Sequence, residues 1–238
     1  MQPLSSKQNI QNDPLQEWVS KALNWIANHR QTFYSIVSTL VILFFIAAFM
    51  IVNFKNLRQQ SWEKYFNAQN WIMNNNPANA MNLYNEVLSN YNRTPAAAYA
   101  LFGKGDLLRA ERKFPDAISA YQQCLEKNPN KLILPMVYLG LGTTQEDQNQ
   151  YPDAIATYKK FIEQFPDHYL TPKIYESLAR TYELSVNPDS AKDIYEKIIT
   201  LYPGTIWSEK ARVRYQTLAP QPFQNATPNI SNSQTNKP

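Results

Sequence analysis

The chain has 238 residues, of which 13% are aromatic and only five are glycine, and so little glycine argues against phosphate-cradling loops, tight hairpins and a β architecture. The net charge of +4 lies outside residues 61–218, where 17 Lys and Arg balance 17 Asp and Glu, so this stretch has little electrostatic attraction for nucleic acid. One cysteine, Cys124, excludes an intramolecular disulfide, and no cysteine stands near the N-terminus to carry a lipid.

Residues 1–12 are polar, and disorder is expected there. Asp13-Pro14 reads as an N-cap followed by Pro in the first turn. Leu15, Trp18, Val19, Ala22, Leu23 and Ile26 then come at steps of three and four, which predicts an amphipathic helix with Trp25 at the edge of its apolar face. Lys21, His29 and Arg30 add cationic groups toward its end. A helix of this kind is expected to lie on lipid headgroups, continuous with the apolar stretch after it, within an N-terminal segment of residues 1–32.

No charge occurs between Arg30 and Lys55. The twenty residues 33–52 span roughly 30 Å as a helix, the thickness of a bilayer core, and predict a transmembrane anchor over 33–53. A cleaved signal peptide would have a shorter apolar run, nearer the start, and a small-residue cleavage site. Lys7, Lys21 and Arg30 precede the span and Lys55, Arg58 and Lys64 come after it, so the positive-inside count is a tie. Residues 54–60 read as a short linker.

Residues 61–218 carry a ladder. Ala80, Ala117, Ala154 and Ala191 are 37 residues apart, each followed four residues later by Tyr84, Tyr121, Tyr158 and Tyr195. Asn92, Pro129, Pro166 and Pro203 come twelve after each alanine, and the small residues Ala68, Gly105, Gly142 and Ala179 twelve before. A fixed period of this size marks a repeat array. Each unit reads as helix A, holding the small residue, and helix B, holding the Ala–Tyr pair; on a helix, residues four apart stack one above the other. Pro77, Pro115, Pro152 and Pro188 suit the first turns of the B helices. Trp207–Leu218 reads as a capping helix with Trp207, Ala211, Tyr215 and Leu218 on one face, and residues 219–238, rich in Pro, Asn, Gln, Ser and Thr, as a disordered tail.

This pattern resembles the tetratricopeptide repeat over about residues 61–203. The matching positions are the small A-helix residues, the residue three after them (Trp71, Leu108, Tyr182; Gln145 departs), the Ala–Tyr pairs and the closing prolines. The resemblance implies an all-α fold: a right-handed α-solenoid of about four helix pairs plus the capping helix, after the single transmembrane helix. The family's usual period is 34, and the three extra residues fall between helix B and the next helix A, in stretches such as Asn128–Leu134 and Asp167–Thr171. Such connections are familiar in bacterial envelope tetratricopeptide proteins, including Tol–Pal coordinator and outer-membrane assembly components.

For chemistry the sequence offers little. His29 and His168 have no neighbours at metal-ligand spacing, no phosphate loop or nucleophile elbow occurs, and Glu146–Asp147 reads as solvated helix surface. Cys124, seven after Ala117, reads as a buried structural thiol. No enzymatic activity, cofactor, small-molecule substrate or nucleic acid is expected. In tetratricopeptide arrays the A helices line a groove that holds peptides. The resemblance assigns Trp62, Tyr65, Gln69, Ile72 and Met73 of the first repeat to it, then Tyr99, Phe102, Asp106 and Arg109, then Met136, Leu139, Thr143 and Glu146, then Lys173, Glu176, Arg180 and Glu183. Of these, Trp62, Tyr65, Ile72, Met73, Tyr99, Phe102, Arg109, Met136 and Leu139 are the candidate partner-binding residues; the near half is apolar, the far end charged. Packing of these aromatics on neighbouring helices, or of Trp62 and Tyr65 on the membrane or linker, is the rival reading.

The layout of short segment, anchor and repeats is similar to the ancillary subunit of the Sec translocon. That similarity implies a bacterial inner-membrane protein with a periplasmic, chaperone-like array that binds translocon or envelope-assembly proteins. Two alternatives share the layout: a cytosol-facing organelle-import receptor, and a structural subunit whose groove another subunit fills.

Overall fold

The structure, a computed structural model, describes residues 14–218; the expectations for residues 1–12, Asp13 and 219–238 lie outside them. Among the described residues there are ten helices and no strand. The chain divides into two units, Met1–Leu57 and Arg58–Pro238.

In the first unit, α1 covers Pro14–Asn28 and presents Leu15, Trp18, Val19 and Leu23 to the outside. A one-residue irregularity at His29 separates it from the next helix. The His29 Nδ1 lies 3.1 Å from the Trp25 carbonyl oxygen and its ring stacks on Trp25 at 5.3 Å, while the backbone ladder still crosses this point, the His29 N–H donating to the Trp25 carbonyl and the Phe33 N–H to the His29 carbonyl, both at 2.9 Å. The second helix, α2, runs from Arg30 to Met73, 44 residues without a break. The linker expected at 54–60 is therefore helix. Phe-Lys-Asn-Leu-Arg-Gln-Gln contains neither Gly nor Pro, and Lys, Leu, Arg and Gln are good helix formers. The apolar part of α2 is long enough to cross a membrane and none of it is buried by protein.

The second unit begins with the last part of α2, which serves as the A helix of the first pair; α3 (Pro77–Asn90) is its B helix. Next come the pairs α4 (Ala96–Ala110) with α5 (Phe114–Glu126), α6 (Leu134–Asp147) with α7 (Tyr151–Gln164), and α8 (Thr171–Leu184) with α9 (Pro188–Leu201), and α10 (Ile206–Leu218) packs on α9. All four B helices start with Pro in the first turn. The four ladder alanines are fully buried, and the ladder tyrosines nearly so.

Every A-to-B turn is three residues long and built alike. Asn75, Arg112, Asn149 and Val186 have positive φ, and the next residue's N–H donates back five residues to Trp71, Leu108, Gln145 and Tyr182. This is a left-handed C-terminal cap, tolerated by Asn but costly for a β-branched side chain. Val186 is 86% exposed, so its side chain gains nothing in return. Val186→Asn should raise the melting temperature of the protein, by the equivalent of about 1 kcal/mol.

The small residues do more than separate A and B. A Cβ on Gly105 would stand 2.7 Å from the Tyr121 ring, and one on Gly140, in the next A helix, 2.8 Å from the same ring. Gly103 meets Tyr84 in the same way, and Gly142 meets Tyr158. Gly103, Gly140 and Ser177 are themselves 37 apart, with Arg214 next. Each ladder tyrosine thus lies between its own A helix and that of the following repeat. The register also gives α10 a place: it is the A helix of a fifth unit. Ala211 stands where Ala100, Val137 and Ile174 stand, and all four are buried. Its positions that would face a fifth B helix hold Glu209, Arg212 and Gln216, which are exposed and polar, so α10 closes the array as a cap must. Trp207, Ala211 and Leu218 of its expected apolar face pack inward, whereas Tyr215 is exposed.

Candidate protein-binding face

The A helices bring the candidate residues into one periodic surface. Trp62, Tyr99, Met136 and Lys173 share one register position; Tyr65, Phe102, Leu139 and Glu176 the next; then Gln69, Asp106, Thr143 and Arg180; then Ile72, Arg109, Glu146 and Glu183. Trp62, Tyr65 and Tyr99 form an aromatic triangle, with ring centroids 4.9–5.7 Å apart. Phe66, mostly exposed, stacks on Trp62 at 5.8 Å. Phe102 leans on Tyr121 at 6.2 Å. Trp62, Tyr65, Tyr99, Phe102, Met136 and Leu139 are all half-buried. They pack on the core underneath and keep an edge outside. Ile72 and Met73 are exposed, Met73 at 83%, because the helix ends there. Trp71, at the inward position of the family pattern, is 40% exposed.

Phe66 was not a candidate in the sequence. It stands where Gly103, Gly140 and Ser177 stand in later repeats, positions that receive the preceding repeat's tyrosine. The first repeat has no predecessor, and Phe66 takes up that side of Trp62. Its place in the 37-residue register was the signal that could have found it.

Beneath this surface runs a polar row. Tyr84 Oη accepts from Gln69 Nε2 at 2.6 Å, Tyr121 Oη donates to Asp106 at 2.5 Å, and Tyr158 Oη lies 3.4 Å from Thr143 Oγ1. The fourth tyrosine departs from the register and donates to Glu183 at 2.5 Å, because Arg180 is already engaged by Glu146 at 2.5 Å. Glu146, expected on the solvated surface, is instead buried and also accepts from Thr181 Oγ1. Its ligands come from the next repeat, and a buried carboxylate needs such partners. Burial raises the Asp106 carboxyl above its usual range, against the opposing pull of the Tyr121 hydroxyl and Arg109. The folded state therefore holds the Asp106 proton more tightly than the unfolded chain, and this group's contribution to stability improves as pH falls through its folded pKa. Asp106→Asn keeps an acceptor for Tyr121, so it should melt higher than the parent at pH 7, and the two should converge in acid, as read by melting curves across pH.

The far end is charged but internally paired. Arg109 meets Asp147 at 4.0 Å, Lys173 and Lys210 meet Glu176 at 2.7 and 3.8 Å, and Arg214 meets Glu183 at 3.0 Å. A hollow of about 550 Å³ there is lined by Arg180, Trp207, Lys210 and Arg214 with Glu176 and Tyr195. With carboxylates of the protein already on its cations, this end is poorly suited to clamp an acidic peptide terminus. Cys124 donates to the Ala98 carbonyl at 3.1 Å, and burial pushes its thiol up to about 12, which keeps it protonated and unreactive.

The family profile of the tetratricopeptide repeat matches residues 74–131 and again 136–168. No curated protein matches the chain. Among solved structures, a tetratricopeptide repeat protein from Parabacteroides merdae superposes with a TM-score of 0.58 at 13% identity, over 67% of this chain and 60% of that one. MamA from Desulfovibrio magneticus RS-1 superposes with a TM-score of 0.54 at 16% identity, over 67% and 89%. A putative kinesin light chain with nearly identical TPR-like repeats, from Podosopora anserina, gives 0.56 at 12% identity, over 68% and 85%. At these identities the likeness is one of fold. The matched repeats, the 37-residue ladder and the four helix pairs together make the array that begins in the last part of α2 one of tetratricopeptide repeats.

Proposed function

We propose that the protein is a membrane-anchored adaptor. Its A-helix surface holds a protein segment by apolar side chains along the near half, in the manner of a helix or extended peptide laid in a groove. The observation that carries this reading is the aromatic group of Trp62, Tyr65, Phe66, Tyr99 and Phe102, half-open on one surface while the charges beyond it are paired internally. Aromatic anchors in a partly desolvated patch are where binding energy concentrates. The uncharged stretch at 33–53 supports a single-pass anchor, and the exposed apolar side of α1 supports a helix lying on headgroups beside it. A bacterial inner membrane with the array in the periplasm, serving protein translocation or assembly, is the setting that the resemblance in layout supports. The partner would then be a translocon or envelope-assembly component.

Half-burial shapes the test. Tyr65→Ala would also remove core packing, whereas Phe102→Leu keeps apolar volume against Tyr121 and deletes the ring. A photo-crosslinker at Phe66, more open than Phe102, should capture the partner in cells. Phe102→Leu should then weaken partner retention up to about thirtyfold, the loss expected for an aromatic anchor, with a melting temperature near that of the parent. Unchanged retention in a Phe66→Ala, Phe102→Leu double variant that melts like the parent would sink the proposal. Protease protection of the array in intact but not opened cells distinguishes the periplasmic from the cytosolic setting.

A further inference from the structure

The B-to-A loops differ from the A-to-B turns in length, charge and apolar content. They line one edge of the array. Tyr91 Oη donates to Gln60 Oε1 at 3.0 Å, which sets the first loop at the N-terminal end of the first A helix, and Lys127 Nζ donates to the Asn92 carbonyl at 3.0 Å, which sets the second beside the first. Along this edge Leu132, Tyr169 and Ile206 are 37 residues apart and 74%, 69% and 67% exposed. The residue after each, Ile133, Leu170 or Trp207, packs into the core, so the loops have apolar cover underneath and a second apolar row outside. The opposite edge repeats no such residue: its equivalent turn positions are Asn75, Arg112, Asn149 and Val186. The B-to-A loops also carry Arg93, Lys127 and Lys131 against Asp167, in an array whose charges balance as a whole.

We propose that this edge rests on the surface of an anionic bilayer, with Leu132, Tyr169 and Ile206 at headgroup depth and the loop cations on lipid phosphates. The inference rests on the anchor reading above. Only residues 55–59 separate the end of the uncharged stretch at Phe54 from Gln60 at this edge, so the tether reaches at most about 20 Å even fully extended. A protein partner ordinarily needs 20–30 residues a side for a stable interface; one row of three side chains among polar loops is too narrow for that. Shallow insertion of apolar and aromatic side chains beside cations is what a lipid surface takes.

The test uses the full chain with Cys124→Ala, at one copy per nanodisc, in phosphatidylcholine with or without phosphatidylglycerol. A fluorophore is placed at Tyr169→Cys, at Leu132→Cys, or on the opposite edge at Val186→Cys, and quenching by headgroup-spin-labelled lipid is read. Labels at 169 and 132 should be quenched several-fold more than the label at 186. Phosphatidylglycerol should increase the effect, and both raised salt and the pair Arg93→Glu, Lys131→Glu should reduce it. Equal quenching at the two edges, or none at 169 and 132 in discs that retain the protein, overturns the inference and leaves the anchor standing. Quenching that appears only with two copies per disc assigns the edge to a second copy instead. A chain that does not stay with the disc removes the anchor, and this inference with it.

Discussion

Gly105→Ala should lower the melting temperature of the array, although the same change in an open helix raises stability by about 1 kcal/mol. The added Cβ would stand 2.7 Å from the Tyr121 ring. A ring free on its other side could shift by a few tenths of an ångström. Tyr121 is not free, because Gly140 stands against it in the next A helix at a similar spacing, and its hydroxyl is held by Asp106 at 2.5 Å. Overpacking of a confined site costs about 1–3 kcal/mol, which exceeds the gain in helix propensity. Gln122→Ala, on the exposed side of the same B helix, should stay within about 0.5 kcal/mol of the parent. Thermal melts of the two variants decide the matter, and equal melting temperatures would show that the tyrosine is not clamped. Gly105→Ala with Gly140→Ala should depart from additivity, since both act on one ring.

Leu43→Arg should release the chain from the membrane fraction. Leu43 lies in the middle of the uncharged stretch on the exposed helix α2, where an arginine costs about 2.5–3.5 kcal/mol on insertion scales. A conservative Leu43→Ile should remain in the pellet after carbonate extraction. Arginine that leaves the fractionation unchanged would refute the anchor, and the adaptor reading would then have to stand without it. Removing residues 1–54 should leave a helical, soluble array, as read by circular dichroism.

The period of 37 was legible because repetition needs no tertiary knowledge. Ala, Tyr, Pro and one small residue recur in fixed order, and each has a local reason to stand where it does. The second small residue, at Gly103, Gly140 and Ser177, was not legible from a single unit, because its purpose is to receive a side chain from the unit before. Glu146 was misread for the same reason. On its own helix it looks like an exposed acid, and only Arg180 and Thr181, more than thirty residues later, account for its burial. The continuity of α2 was missed in another way: the composition changes from apolar to polar at residue 54, but a change of side-chain polarity is not a change of backbone, and nothing in the segment breaks a helix. The candidate face lay between these cases. The register placed its residues correctly on the A helices, while the balance of core and open edge at Tyr65 or Phe102 depends on the neighbouring helix, which the sequence does not position.

The shared tyrosines have a consequence for how the array comes apart. When a ladder residue belongs to one repeat by sequence and to two by packing, neither repeat can leave without opening the other's core. The coupling between neighbours is then large beside the intrinsic stability of any one unit, the regime in which a one-dimensional chain of units behaves cooperatively. Partial unravelling has few places to begin. At the C-terminal end Tyr195 is met by Arg214 of the cap rather than by a glycine, so the grip on the last rung is charged and open to solvent. Loss of order should therefore start there and move toward the first repeat, leaving the aromatic face until last.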